Sequence, residues 1–155
     1  MAAAGAQAEA NLDAVVKDLA GNVARLKVAW TYRTGDLPQG GAPQMFEATP
    51  LQIDDTLYLC TPYNRVIALD AGTGKELWRD KYDAQASNEP MGRHPGPRSS
   101  PAVAEGKVVT YGVRGTLSCL DAATGKSNWT FETGTGIKGT PAVLDGITAV
   151  GGCDA

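Results

Sequence analysis

Few side chains in this 155-residue sequence combine into a set that could do chemistry. Arg93, His94 and Arg98 share one stretch, KYDAQASNEPMGRHPGPRS (residues 81–99). A guanidinium presents a planar fork of donors that matches a carboxylate bidentately, so Arg93 and Arg98 on one loop suit an anionic ligand. Loops inserted on a rigid scaffold often carry function, but they also tolerate arginines that meet only water. His94, the only histidine, reads as a surface residue. Cys60, Cys119 and Cys153 are far apart, and no two fall at the two-to-four spacing of zinc ligands. Their odd number also argues against a disulfide framework. Cys60 and Cys119 lie in apolar runs and read as small buried hydrophobes.

The elements that must position such residues come from a repeat. ALDAGTGKELW (residues 68–78) returns as CLDAATGKSNW (residues 119–129), with Asp70, Gly74, Lys75 and Trp78 each 51 positions before Asp121, Gly125, Lys126 and Trp129. Thr49-Pro50-Leu51 matches Ser100-Pro101-Ala102 at the same offset, and Thr140-Pro141-Ala142-Val143 opens a third copy 40 positions later. Periods of about 40 to 50 residues are those of propeller blades and stacked arrays. Each copy contains four short runs rich in Val, Ile, Leu, Tyr and Trp, separated by Gly, Asp, Asn and Pro, the pattern of successive hairpins. The expected fold is therefore all-β: a partial propeller of four-stranded antiparallel blades, preceded by a short N-terminal helix. Residues 49–82 and 100–133 are the expected blades and 140–155 half of a third. A ring needs about four to eight blades, so this set stays open.

Gly74 and Gly125 fall where a tight turn calls for positive φ, and Trp78 and Trp129 have the flat area to pack between neighbouring blades. Ahead of the repeats, Leu12, Val15, Val16 and Leu19 form the stripe of an amphipathic helix over about residues 10–20, with Gly21 as its stop. LKVAWTYRTG (residues 26–35) reads as an outer strand bearing Trp30, and residues 36–46 as a Pro/Gly loop. The expected division is thus 1–35, a helix and clasp strand, and 36–155, the propeller repeats.

The net charge of -3 and the absence of a basic stripe argue against a nucleic-acid partner. No apolar run is long enough to span a membrane. The N-terminus has neither the charged region nor the apolar core of a secretion signal.

The stretches LKVAWTYRTGD and FEATPLQIDDTLYLCTPYNRVIALDAGTGKELW, within residues 22–80, resemble the first blade region of the quinoprotein dehydrogenases, periplasmic propeller enzymes that oxidise alcohols or sugars with pyrroloquinoline quinone. The resemblance implies that Glu47, just ahead of the Thr-Pro strand start, contacts the quinone. It also implies that Tyr63 lies near the substrate, where sugar-oxidising members often carry His. Calcium or magnesium accompanies the quinone in the family, but the catalytic Asp and the metal-binding Glu and Asn lie further along than this sequence reaches. The vicinal Cys-Cys pair of alcohol-oxidising members is absent from residues 81–99. From Arg98 onward the sequence is similar to the broader quinone-type repeat propellers, many of which bind no cofactor and act as scaffolds.

In a four-stranded meander alternate connections lie on opposite faces. Glu47, Tyr63 and the insertion bearing Arg93 and Arg98 are therefore expected on one rim. Two functions follow: the opening part of a quinone-dependent dehydrogenase, inactive alone, or a non-catalytic repeat propeller that binds partners, itself included, through its rim or open strand edges.

Overall fold

The computed structural model describes residues 17–36, 46–81, 99–112, 115–133 and 139–151. The chain divides into two units, Met1–Trp30 and Thr31–Ala155. In the first, residues 17–22 are helical and a 3₁₀ turn, Val23–Arg25, follows. Gly21 is inside this helix and is not its stop; Leu26, extended at φ -61° and ψ 136°, ends it. The remainder of the expected helix, residues 10–16, lies outside the described residues.

The second unit carries the repeat. Strands β1 (Leu51–Ile53), β2 (Thr56–Cys60), β3 (Arg65–Asp70) and β4 (Glu76–Lys81) form one antiparallel sheet in that order. Strands β5 (Ala102–Ala104), β6 (Lys107–Tyr111), β7 (Thr116–Asp121) and β8 (Ser127–Glu132) form a second of the same order. Strands β9 (Ala142–Leu144) and β10 (Ile147–Ala149) pair as the hairpin that opens a third. The sheets agree to the level of single bonds. The register shifts at Ala68/Leu69 in one and at Cys119/Leu120 in the other, 51 positions apart.

The conserved wording of the two copies has a local cause. In the turn from β3 to β4, Asp70 Oδ1 accepts hydrogen bonds from the Thr73 amide (2.8 Å) and hydroxyl (2.7 Å), and the Gly74 amide donates to the Asp70 carbonyl (2.8 Å). Asp121, Thr124 and Gly125 repeat this turn at 2.9, 2.7 and 2.8 Å. These hydrogen bonds hold both carboxyls below the usual carboxylate range, the threonine hydroxyl being the main cause. Gly74 and Gly125 take φ of 70° and 73°, which glycine adopts without the clash a Cβ would bring.

The core lies between sheets. Alternation puts Tyr58, Cys60, Val66, Ala68 and Trp78 on one face of the first sheet, and they pack with Val108 and Leu120 of the second. Trp78 is 9% exposed, and its indole N–H donates to the Ala122 carbonyl at 2.9 Å. Its ring covers Gly125 so closely that a Cβ there would sit 2.4 Å from Trp78 Cε3. Trp78 therefore packs between blades as its size suggests. The opposite face of the second sheet buries Val109, Tyr111, Leu117 and Cys119, with Val143 and Val150 against them.

Trp129 departs from expectation. It is 39% exposed, and Phe131 beside it on the same face is 61% exposed. The surface that covers Trp78 is the turn after β7, and no corresponding turn of a third sheet stands among the described residues to cover Trp129.

For the expected outer strand over residues 26–35, no partner strand stands among the described residues. These residues are extended but join no sheet among the described residues. Residues 31–36 instead contact Arg65, Glu76 and Arg79. Register places Arg65 and Arg79 on the Ile67 side of the sheet, the face away from the second blade. A backbone lying on a sheet face meets side chains, whereas the amides and carbonyls that build a ladder point along the sheet plane.

Candidate cofactor rim

Glu47 and Tyr63 stand at the same end of the first sheet. Glu47 lies in the entry to β1 and is exposed; its neighbour Ala48 is 5% exposed and belongs to the core cluster. Burial of Ala48 fixes the backbone next to the carboxylate. Tyr63 is half-buried in the turn from β2 to β3. That turn is closed by the Thr61 amide donating to the Arg65 carbonyl (2.9 Å) and the Asn64 amide to the Thr61 carbonyl (3.1 Å), and the Thr61 hydroxyl accepts from the Tyr63 amide (3.3 Å). Asn64 adopts φ 58°, a left-handed conformation that Asn tolerates better than most residues. The second blade closes the same turn through Gly112, Gly115 and Thr116, with Gly115 at φ 100°.

The loop arginines expected on the same rim, Arg93 and Arg98, fall outside the described residues, as does His94. Among the described residues no group of three or more His, Cys, Asp or Glu side chains gathers as a metal site. Cys60 is buried in the core, where burial pushes its thiol up to about 12, so it is no nucleophile. Cys119 is buried on the other side of the second sheet.

Sequence reading missed a polar cluster beside the rim. Arg65 Nη1 lies 2.6 Å from Asp36 Oδ1 and donates to the Thr34 carbonyl at 3.4 Å. The Asp36 carboxylate is 4% exposed and Arg65 28%. The ion-pair contact falls short of hydrogen-bond alignment, and Asp36 Oδ2 meets no donor among the described residues. Further out, Arg79 forks Glu76 through Nε (3.1 Å) and Nη2 (2.7 Å), and donates to the Thr34 carbonyl (3.2 Å) and the Tyr32 hydroxyl (2.6 Å). Tyr32 in turn donates to Glu76. Glu76 is held below the usual carboxylate range, first by Arg79, and burial raises the Tyr32 phenol. One sign of this cluster was visible in the sequence: Arg65 stands where the second repeat has Thr116.

With this geometry in place, the relatives are informative. The family model for the β-propeller domain of glucose, ethanol and alcohol dehydrogenases, designated PQQ, matches residues 16–133. The chain belongs to this family. It is 46% identical over 77 residues to the quinoprotein glucose dehydrogenase of Escherichia coli, which covers 48% of this chain and 9% of that protein. The quinohemoprotein alcohol dehydrogenase ADH-IIG of Pseudomonas putida is 34% identical over 138 residues, covering 84% of this chain and 18% of the relative. Among solved structures, a europium-containing methanol dehydrogenase superposes with a TM-score of 0.70 at 28% identity, over 84% of this chain and 23% of that one. The chain thus spans less than a fifth of the length of these curated relatives. Its fold is a PQQ-family propeller, open and partial, and no described helix is long and apolar enough to cross a membrane.

Proposed function

We propose that this chain supplies the opening blades of a periplasmic quinoprotein dehydrogenase that oxidises an alcohol or sugar, and that these blades alone do not turn over substrate. The observation that carries this reading is the family match over residues 16–133, which includes Glu47 and Tyr63 with the strands that hold them at one end of the first sheet.

The donor chemistry fits. Glu47 is an exposed carboxylate that can only accept, so it suits a polar hydrogen on the cofactor and not the cofactor's own carboxylates. Those carboxylates call for charge-assisted donors, the role of Arg93 and Arg98. Tyr63, half-buried and able to donate or accept, orients the substrate hydroxyl. When bound with calcium or magnesium, pyrroloquinoline quinone would supply the two-electron oxidant for the substrate, while Glu47, Arg93, Arg98 and Tyr63 would bind and orient.

Titrating the chain with pyrroloquinoline quinone and calcium, while following the cofactor absorbance, tests the reading. Weak saturable binding is expected, lost when Glu47→Gln and Arg98→Ala are combined. No saturable binding to the unmutated chain would overturn the cofactor role and leave a scaffold. In isolation the chain self-associates through the apolar face around Trp129.

A further inference from the structure

Residues 31–36 are held on the first blade without a single ladder bond to it among the described residues. Their attachment is made by side chains. Tyr32, Thr34 and Asp36 are half-buried in alternation with exposed Thr31, Arg33 and Gly35, and two guanidinium groups, Arg65 from β3 and Arg79 from β4, converge on the Thr34 carbonyl. The two ends differ. At the Tyr32 end, the Arg79 and Glu76 side chains are 34% and 35% exposed, a setting in which ion pairs contribute little. At the other end a carboxylate with 4% exposure faces Arg65, and removing the partner of a buried charge is costly because the remaining charge stays desolvated.

Arg65 joins this buried pair to the rim. Its side chain meets Asp36, while its own backbone carbonyl accepts the Thr61 amide that closes the turn presenting Tyr63. Residue 64, immediately before it, carries the left-handed φ that shapes this turn. The second blade closes its turn with Thr116 in the Arg65 position, and that turn has glycines where the first has Thr61 and Asn64. The ion pair is therefore a property of the first blade and not of the repeat.

We propose that Asp36 and Arg65 are positioning residues for the rim: the buried pair sets the turn of residues 61–65, and with it Tyr63, in the place a ligand reads. The proposal rests on the rim being the cofactor site, and its test separates the two. Hydrogen exchange of individual amides is compared in the unmutated chain, Asp36→Asn, Arg65→Gln, the double variant and Arg65→Lys. Each single loss speeds exchange of the Thr61 and Asn64 amides by about tenfold or more, while the amides of β6 and β7 keep their rates. The double variant adds little to either single one, because both remove the same contact, and lysine at position 65 restores part of the protection. Quinone titration of the same set gives the second reading: because the turn of residues 61–65 shares its end of the sheet with Glu47, which the proposed function puts against the cofactor, dissociation constants rise in Asp36→Asn and Arg65→Gln in step with the exchange rates.

Unchanged exchange at Thr61 and Asn64, or an equal increase throughout both blades, overturns the positioning role whatever the quinone does. Faster local exchange in a chain that binds no quinone upholds the positioning role and defeats the cofactor reading. Local loosening with undiminished quinone affinity overturns the link between the pair and the ligand.

Discussion

Cys60 makes a sharp residue-scale prediction. It is 1% exposed between the two blades, and burial raises its thiol from an ordinary value of about 8.5 to about 12. The folded chain therefore keeps the proton at a pH where the unfolded chain has released it. The stabilisation from this difference is complete below about pH 8.5 and is lost as pH rises toward 12. Denaturant melts should show a steeper decline from pH 8 to 10.5 in the unmutated chain than in Cys60→Ala, and a thiol reagent should leave the Cys60 peptide unlabelled at pH 8 until the chain unfolds. Equal slopes would show that the thiol is not desolvated in solution. The turn aspartates act with the opposite sign. Asp70 and Asp121 have depressed pKa values, so their contribution is present above about pH 4 and is lost as pH falls through the folded values. Asp121→Ala should lower Tm at pH 7 and flatten its dependence between pH 4 and pH 2. The apolar setting of Cys60 was legible because it depends on neighbours close in sequence, whereas Asp70 stood out only as a repeated residue and its bonds to Thr73 came with the structure. The Asp36–Arg65 pair was not legible: the partners are 29 positions apart, and nothing in either local sequence names the other.

At the scale of elements, the repeat made the strands legible, because two copies of one pattern constrain each other. Each hairpin from first to second strand turns through a left-handed residue, Asp54, Glu105 or Asp145, at φ of 49°, 52° and 49°. The segment before the repeats is less legible because its alternation is ambiguous. A period of two marks an edge strand in a ladder equally well as an extended segment laid on a sheet face, and only the direction of Arg65 and Arg79 decides between them. Glycine substitutions separate backbone strain from packing. Gly106 takes φ 69° with nothing within 4 Å of an added Cβ, so Gly106→Ala should cost about 1–2 kcal/mol from conformation alone. Gly125 takes φ 73° with Trp78 across it, and Gly125→Ala should cost about 3 kcal/mol or more and expose the indole. Chemical denaturation gives the first quantity, and a red shift of tryptophan emission reports the second. Similar costs at the two positions would mean that Trp78 yields without loss.

At the scale of the whole molecule, the contrast between Trp78 and Trp129 shows what the sequence could not carry. The two residues occupy equivalent positions in equivalent sheets, yet one is 9% exposed and the other 39%. Their burial depends on the next blade and not on their own. Beside Trp129, Phe131 is 61% exposed, and on the face of the third hairpin turned away from Val143, Leu144 and Ile147 are 72% and 69% exposed. Fully burying side chains of this kind is worth roughly 1.5–3 kcal/mol each, and monomers rarely leave such side chains together in water. The isolated chain should therefore self-associate at micromolar concentration, with a light-scattering mass that rises with concentration and a Trp emission that shifts to the blue as it does. Trp129→Ser with Phe131→Thr should shift the equilibrium toward monomer while leaving the Trp78 contact with Ala122 intact, since that contact lies on the other side of the second sheet. A mass independent of concentration in the unmutated chain would show that this face is stable in water. If instead association persisted undiminished in the double variant, the contact would run through strand edges, where the outer edge of β10, which pairs with no further strand among the described residues, offers a ladder to any extended neighbour.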